Sequence, residues 1–418
     1  MPGTLPPVIL GTLIQALSTI KHSYWVLIAG KIVVNSSVGI ASAVTGLYQA
    51  ECAPHRIRGA LVNFYTVIQN FGGLIGYVVM YAVNKRTDSL LWMVPIGIQF
   101  VFPVIIACGS LFLPESPRWL IAKGRTEEGF RTLCRLRGTT MTEDQVRNEV
   151  DEIRAAYEEE KKLTQGVSIG QIFRGTDLRR TLIAIGLQCL QQAQGISFMN
   201  YLTITLLSLG FTNTYELLVV VFACTMLVSC VGFYLPDRIG RRPLVLIGSF
   251  FMLFSMLVVS SVATVTNNKP TGALGRLTLA AVFIWVLIFA CTWGPMPWTI
   301  SSEVSSNRLR EKTLATAAWS GFGVGLLSNL LVPYIQDAQY GNLQGKIGFM
   351  WAGFSVAAIV FCYLFVPELK GRTLEELDVL FHEKVPTRKF SSYRISSAQS
   401  GLKETRSISS VHGVEKVV

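Results

Sequence analysis

The sequence predicts an all-α, polytopic membrane protein, and three observations carry that prediction. Mean hydropathy is +0.44. Charged residues make up only 15% of the 418, against about 25% in soluble domains. Apolar runs close to the ~20 residues needed to cross a bilayer follow one another at 25–48, 59–82, 91–113, 181–208, 214–235, 243–264, 276–301, 314–336 and 347–366, with a shorter one at 7–20.

The loops between the runs set the expected orientation. Arg56 and Arg58 lie in one loop, Arg238, Arg241 and Arg242 in another, and Arg308, Arg310 and Lys312 in a third. They alternate with loops at 83–90, 209–213, 265–275 and 337–346, which together carry fewer basic residues. Under the positive-inside rule the basic loops and the C-terminal tail are expected in the cytoplasm. Residues 114–178 form the one long polar interruption. Thr142-Glu-Asp-Gln145 there is a capping box, followed by charges at helical spacing. Thr373-Leu-Glu-Glu376 predicts a second capped helix after the last run. Residues 384–418, rich in Ser, Lys and Arg, are expected to be disordered.

The chain also repeats itself. Glu51, Arg56 and Arg58 recur 252 residues later as Glu303, Arg308 and Arg310. Pro114-Glu115 and Arg118 recur at nearly the same offset as Pro367-Glu368 and Arg372. Copies in the same order indicate two parallel halves with a site between them. Moved back by that offset, the runs near 180–235 fall before Met1. The N-terminal half is therefore expected to lack about two spans and part of a third. The expected divisions are a bundle remnant at 1–113, a helical linker at 114–178, a second bundle at 179–383 and the tail at 384–418.

Several function classes lose support. The net charge of +11 is dispersed among the loops, so nucleic acid is not the expected partner. The eight cysteines fall mostly inside apolar runs and form no CxxC pair, so neither a metal nor a disulfide framework is indicated. No nucleophile–base set or phosphate loop stands out. No enzyme activity and no cofactor are expected.

Polar groups inside spans are costly and point to function. Gln188, Gln191 and Gln192 share one helical face, with Gln194, Ser197, Asn200 and Tyr201 just beyond. Such amides suit a polyhydroxylated ligand; they equally suit bonding between helices. Gly294-Pro295-Met-Pro297-Trp298 interrupts a span, because prolines remove helical hydrogen bonds. Trp298 beside that break is either a stacking surface for a sugar or a packing residue. Asp237, Arg241 and Arg242, with Glu51, Arg58, Glu115, Arg118, Glu303 and Arg310, are expected to form a charged ring at the cytoplasmic face. Pairs of that kind, half exposed, are each worth about 0–1 kcal/mol, weak enough to open and close. Lys31 lies inside the run 25–48, with no acidic partner evident in the spans.

Together these blocks resemble the sugar porter family of the major facilitator superfamily. The matching motifs are Glu51…Pro54…Arg58-Gly59, Pro114-Glu-Ser-Pro-Arg-Trp-Leu120, Gln191-Gln192…Gly195-Ile196…Tyr201, Asp237-Arg-Ile-Gly-Arg-Arg242, Gly294-Pro-Met-Pro-Trp298 and Pro367-Glu-Leu-Lys-Gly-Arg372. Ser306–Thr313 and Gly348–Phe354 look most like fungal maltose and α-glucoside permeases. The resemblance implies the superfamily fold of twelve transmembrane helices, here lacking about the first two and a half. It implies alternating access about a central site. Gln191, Gln192 and Trp298 match sugar-contacting positions. Ser197 stands where the family usually has Asn, while Thr225 and Phe322 occupy its polar and aromatic cavity positions. Lys31 replaces an Arg that assists proton coupling in symporting relatives.

The expected function is sugar transport, of a hexose or an α-glucoside such as maltose, by a monomer coupled to protons in the plasma membrane. Two alternatives stay open: a sugar sensor that does not transport, and an inactive fragment. The 35 residues beyond Glu383 are short beside the signalling tails of family sensors.

Overall fold

The computed structural model describes residues 5–393, apart from 22, 53–57, 111, 139–141, 165–167, 212, 233–234, 307, 338, 373 and 391–392. The described residues are helical, and six stretches among them are long and apolar enough to cross a membrane: Tyr24–Ser42, Leu90–Ser110, Arg241–Val265, Gly272–Val304, Arg310–Gln336 and Gln344–Phe365. The chain divides into two compact units, Met1–Gln165 with Asn213–Leu227, and Gly166–Thr212 with Val228–Val418.

In the first unit, α1 (Leu5–Lys21) packs along α2 (Tyr24–Cys52), and α3 (Arg58–Val83) and α4 (Leu90–Ser110) follow. Three helices come next: the short α5 (Pro117–Ala122) and α6 (Thr126–Arg137), and the longer α7 (Glu143–Thr164). They close a small core of their own from Ile121, Leu133, Val146 and Val150. Their starts are encoded locally. Ser116 caps α5, accepting from Trp119 N–H at 3.3 Å with Pro117 behind it. Gln145 Oε1 accepts from Thr142 N–H at 3.0 Å, the returning half of the capping box expected there. The second expected box begins at Thr373, outside the described residues.

The second unit begins with α8 (Gly175–Gln191), a π-turn over 192–196 and α9 (Ser197–Ser208). The helix α10 (Thr214–Gly232) contributes its last residues here and its first to the other unit. Then come α11 (Leu235–Ile239), α12 (Arg241–Val265), α13 (Gly272–Cys291), α14 (Met296–Val304), α15 (Arg310–Gln336), α16 (Gly348–Phe365) and α17 (Leu374–His382). α12 packs against both α13 and α16, and α15 lies along α8. Trp285, Trp293 and Trp351 are fully buried. Trp285 stacks on Phe289 with ring centroids 5.4 Å apart and meets the edge of Phe198 at 4.6 Å. The expected continuous run 276–301 is broken at 292–295, so α13 and α14 are separate helices.

The segment after α16 folds back onto the start of α8. Buried Arg180 pairs with Asp378 on α17. Arg179 donates to the carbonyl of Val385 at 2.9 Å and to Thr387 Oγ1 at 2.7 Å. This anchor extends ordered structure past residue 384, into the stretch expected to be disordered; the expectation for residues 394–418 lies outside the described residues.

Candidate functional site

The break between α13 and α14 has a direct covalent cause. In a continuous helix the Trp293 carbonyl accepts from the N–H of residue 297, and Pro297 has none. The amide of Gln191 substitutes for it. Gln191 Nε2 donates to the carbonyls of Trp293 and Gly294 at 2.7 and 2.8 Å. Trp293 anchors the same turn from the other side, its indole N–H reaching Ser249 Oγ on α12 at 2.8 Å.

Gln188, Gln191 and Gln192 are 2, 2 and 5% exposed. They lie at the C-terminal end of α8 and the start of the π-turn but do not share a common direction. Gln191 turns to the broken segment. Gln188 and Gln192 lie under α15, which approaches closely because Gly321 and Gly325 carry no side chain. A Cβ at Gly321 would stand 3.0 Å from that of Gln188, and one at Gly325 would stand 2.7 Å from Gln192 Oε1. Small residues four apart permit such contact between membrane helices. For Gln191 the bonds seen are those between helices, the second of the two readings the sequence left open.

The hydrogen-bonding capacity of this cluster is far from saturated. Gln188 Nε2, Gln191 Oε1, both amide atoms of Gln194 and the Ser197 hydroxyl are buried without a protein partner. Buried polar atoms are otherwise almost always paired. Trp298 on α14 and Phe322 on α15 are 43 and 61% exposed. Thr225 lies in the other unit, on α10, where its hydroxyl donates to the Val221 carbonyl at 2.8 Å.

One polar seam was missed by the sequence reading. Asn329 on α15 accepts from Asn200 Nδ2 at 3.2 Å, and its carbonyl accepts from Tyr201 OH at 2.8 Å. Gln336, two turns on, donates to Thr205 Oγ1 at 3.2 Å. The seven-residue spacing of Asn329 and Gln336 was the available signal.

The charged residues resolve into local arrangements within each unit. In the second, Arg241 Nη2 and Nε reach one oxygen of Glu303 at 3.1 and 3.3 Å, and Nη1 reaches exposed Asp237 at 3.1 Å. The other Glu303 oxygen and Arg310 Nε are buried without a partner. Arg242 donates to the Tyr363 carbonyl at 2.7 Å. Glu368, absent from the expected set, holds the start of α12. Its carboxylate accepts from the backbone N–H groups of Arg241 and Arg242 at 3.1 and 3.2 Å, where the helix dipole favours an anion. Gly240 makes this possible, with φ of 104° and no Cβ to meet Glu368 Oε2, which would lie 2.8 Å away.

In the first unit, Glu51 accepts from Ser116 Oγ. Glu115 pairs with Arg125 at 3.7 Å. Among the described residues Arg118 forms no ion pair, and the side chain of Arg58 lies outside them. The strongest buried pair is another omission: Arg137 holds Glu149 at 2.5 and 3.1 Å and the Cys52 carbonyl at 3.1 Å. Lys31 is exposed on α2 and forms no ion pair among the described residues.

A family profile described as sugar (and other) transporter matches residues 7–381. The chain belongs to that family. Membership places it among transporters rather than enzymes. The high glucose sensor of Saccharomyces cerevisiae is 33% identical over 374 residues, covering 88% of this chain and 48% of the sensor. Hexose transporter 2 of Kluyveromyces lactis is 30% identical over 405 residues, covering 94% of this chain and 70% of the transporter. The inward open structure of the E. coli xylose transporter superposes with a TM-score of 0.72 at 24% identity, covering 91% of this chain and 82% of that one. That likeness establishes the major facilitator fold. The chain thus spans about half the length of the sensor, and these fungal relatives carry hexose and glucose in their names, not the maltose that Ser306–Thr313 and Gly348–Phe354 suggested.

Proposed function

We propose that the chain takes part in moving a hexose across the plasma membrane by alternating access, coupled to protons, with its C-terminal tail in the cytoplasm. The observation that carries the reading is the Gln191 clamp on the broken helix, together with the unspent capacity of Gln191 Oε1, an acceptor, and Gln188 Nε2, a donor. Groups of both kinds suit the hydroxyls of a sugar. Gln192, Gln194 and Ser197 extend the polar set within the second unit, where Trp298 and Phe322 supply ring faces for the sugar's C–H surface; Thr225 is the polar residue proposed from the other unit. The names of the fungal relatives support a hexose, and the coupling follows solved proton:xylose symporters of the same fold.

Glu303 is the proposed gate in the second unit. It holds Arg241 while its second oxygen and Arg310 Nε lie buried and unpaired. Exchange from Arg241 to Arg310 therefore buries no additional charge. Glu51, Arg58, Glu115 and Arg118 are the corresponding set in the first unit, and Lys31 is the cation proposed to assist proton coupling.

The test is uptake of labelled glucose, xylose and maltose by cells lacking their own carriers, with and without a protonophore. Hexose accumulation abolished by the protonophore is expected. Gln191→Ala should lower uptake about ten-fold, the scale of one or two lost hydrogen bonds. Uptake unchanged by Gln191→Ala and Gln188→Leu would remove the site, and a preference for maltose would remove the hexose reading. The identity with the glucose sensor supports a second reading, in which the chain binds glucose without moving it. Glucose-dependent signalling with no accumulation would establish that one.

A further inference from the structure

Two guanidinium groups converge on one ring at the end of α16. Arg242 lies 5.6 Å from the Tyr363 ring centroid, and Arg388, from the turn after α17, lies 4.5 Å from it. Among the described residues neither guanidinium has a carboxylate within salt-bridge distance. Arg242 spends one N–H on the Tyr363 carbonyl, and its Nε has no partner. Like charges repel, so this arrangement calls for an anion. The ring also sits in a particular place. Val356, Val360, Tyr363 and Leu364 form a half-exposed row along a helix apolar enough to span a bilayer, and Tyr363 is its last aromatic position but one. Tyrosine and arginine at the end of a lipid-facing row mark the level of the headgroups.

The geometry points to a binding site for the phosphate of an anionic glycerophospholipid, with Arg242 and Arg388 as its two forks and Tyr363 as their platform. Guanidinium groups take phosphate oxygens in paired hydrogen bonds. Acyl chains then lie along the row of Val360 and Val356. A zwitterionic lipid presents the same phosphate but adds a cation next to two others, so selectivity for net negative headgroups follows.

The test is native mass spectrometry of the full chain, purified in detergent and offered phosphatidylinositol or phosphatidylcholine. Phosphatidylinositol adducts should exceed phosphatidylcholine adducts in the wild type. Arg388→Gln should reduce them about five-fold, the effect of one basic group at an anionic surface. Arg388 lies in an exposed turn, so this variant keeps the fold; Tyr363→Leu, which preserves the apolar row, should reproduce the loss. Equal retention of the two lipids, or wild-type retention by Arg388→Gln, would overturn the site. Displacement of the lipid by inorganic phosphate alone would identify a free-phosphate site instead and overturn the lipid assignment.

Discussion

Glu51 and Glu303 occupy the same place in two copies of one sequence pattern, yet they bond differently. Glu303 is largely buried and holds Arg241, a residue from a different helix. Glu51 takes a hydroxyl, Ser116 Oγ, from the loop before α5. Their companions diverge in the same way. Glu368 caps the start of α12 with its carboxylate, while Glu115 reaches an exposed ion pair with Arg125. A repeated motif thus preserves the type of group and its position, and the neighbouring chain decides what it meets. The second unit uses these carboxylates to fasten the start of α12 to α14 and to the segment that follows α16. The first unit uses them at the edge of its small extramembrane core, and leaves the strongest pairing to Arg137 and Glu149.

Breaking the second copy should have the larger effect. Arg241→Met leaves Glu303 without its counter-charge and is expected to destabilise the protein by about 3 kcal/mol, the scale for removing one partner of a buried pair. Thermal unfolding in detergent micelles measures it. A midpoint equal to wild type would show that the Glu303 contact contributes nothing. Next comes Gly240→Ala, which forces a side chain into a left-handed conformation and against Glu368. A cost of about 1–3 kcal/mol is expected by the same measurement. An unchanged midpoint would mean that the Glu368 cap tolerates displacement. In the first copy, Ser116→Ala removes the donor to Glu51 and the cap on α5. About 1 kcal/mol is expected, with faster proteolysis across 114–164 as the second readout. If Ser116→Ala proved as damaging as Arg241→Met, the proposed asymmetry between the copies would be wrong.

Six of the nine full spans expected from the sequence coincide with helices long and apolar enough to cross a membrane, because a bilayer demands long apolar runs and the backbone must satisfy itself within them. The other three, 59–82, 181–208 and 214–235, are helical but do not reach that length and apolarity among the described residues. Also legible in the sequence were the break at Pro295 and Pro297, the helix start at Thr142, and the family, whose motifs extend along the chain. These features depend on residues close in sequence. What the tertiary structure decided was partnership: Gln191 replacing the N–H that Pro297 lacks, Glu368 reaching Arg241 and Arg242, Arg137 choosing Glu149, and Asn329 joining α9 to α15. Each joins groups from separate helices or loops. A side chain's reach is a few ångströms, so its partner is fixed only once the helices have packed. The sequence names the groups that must be satisfied, but packing determines which of them meet.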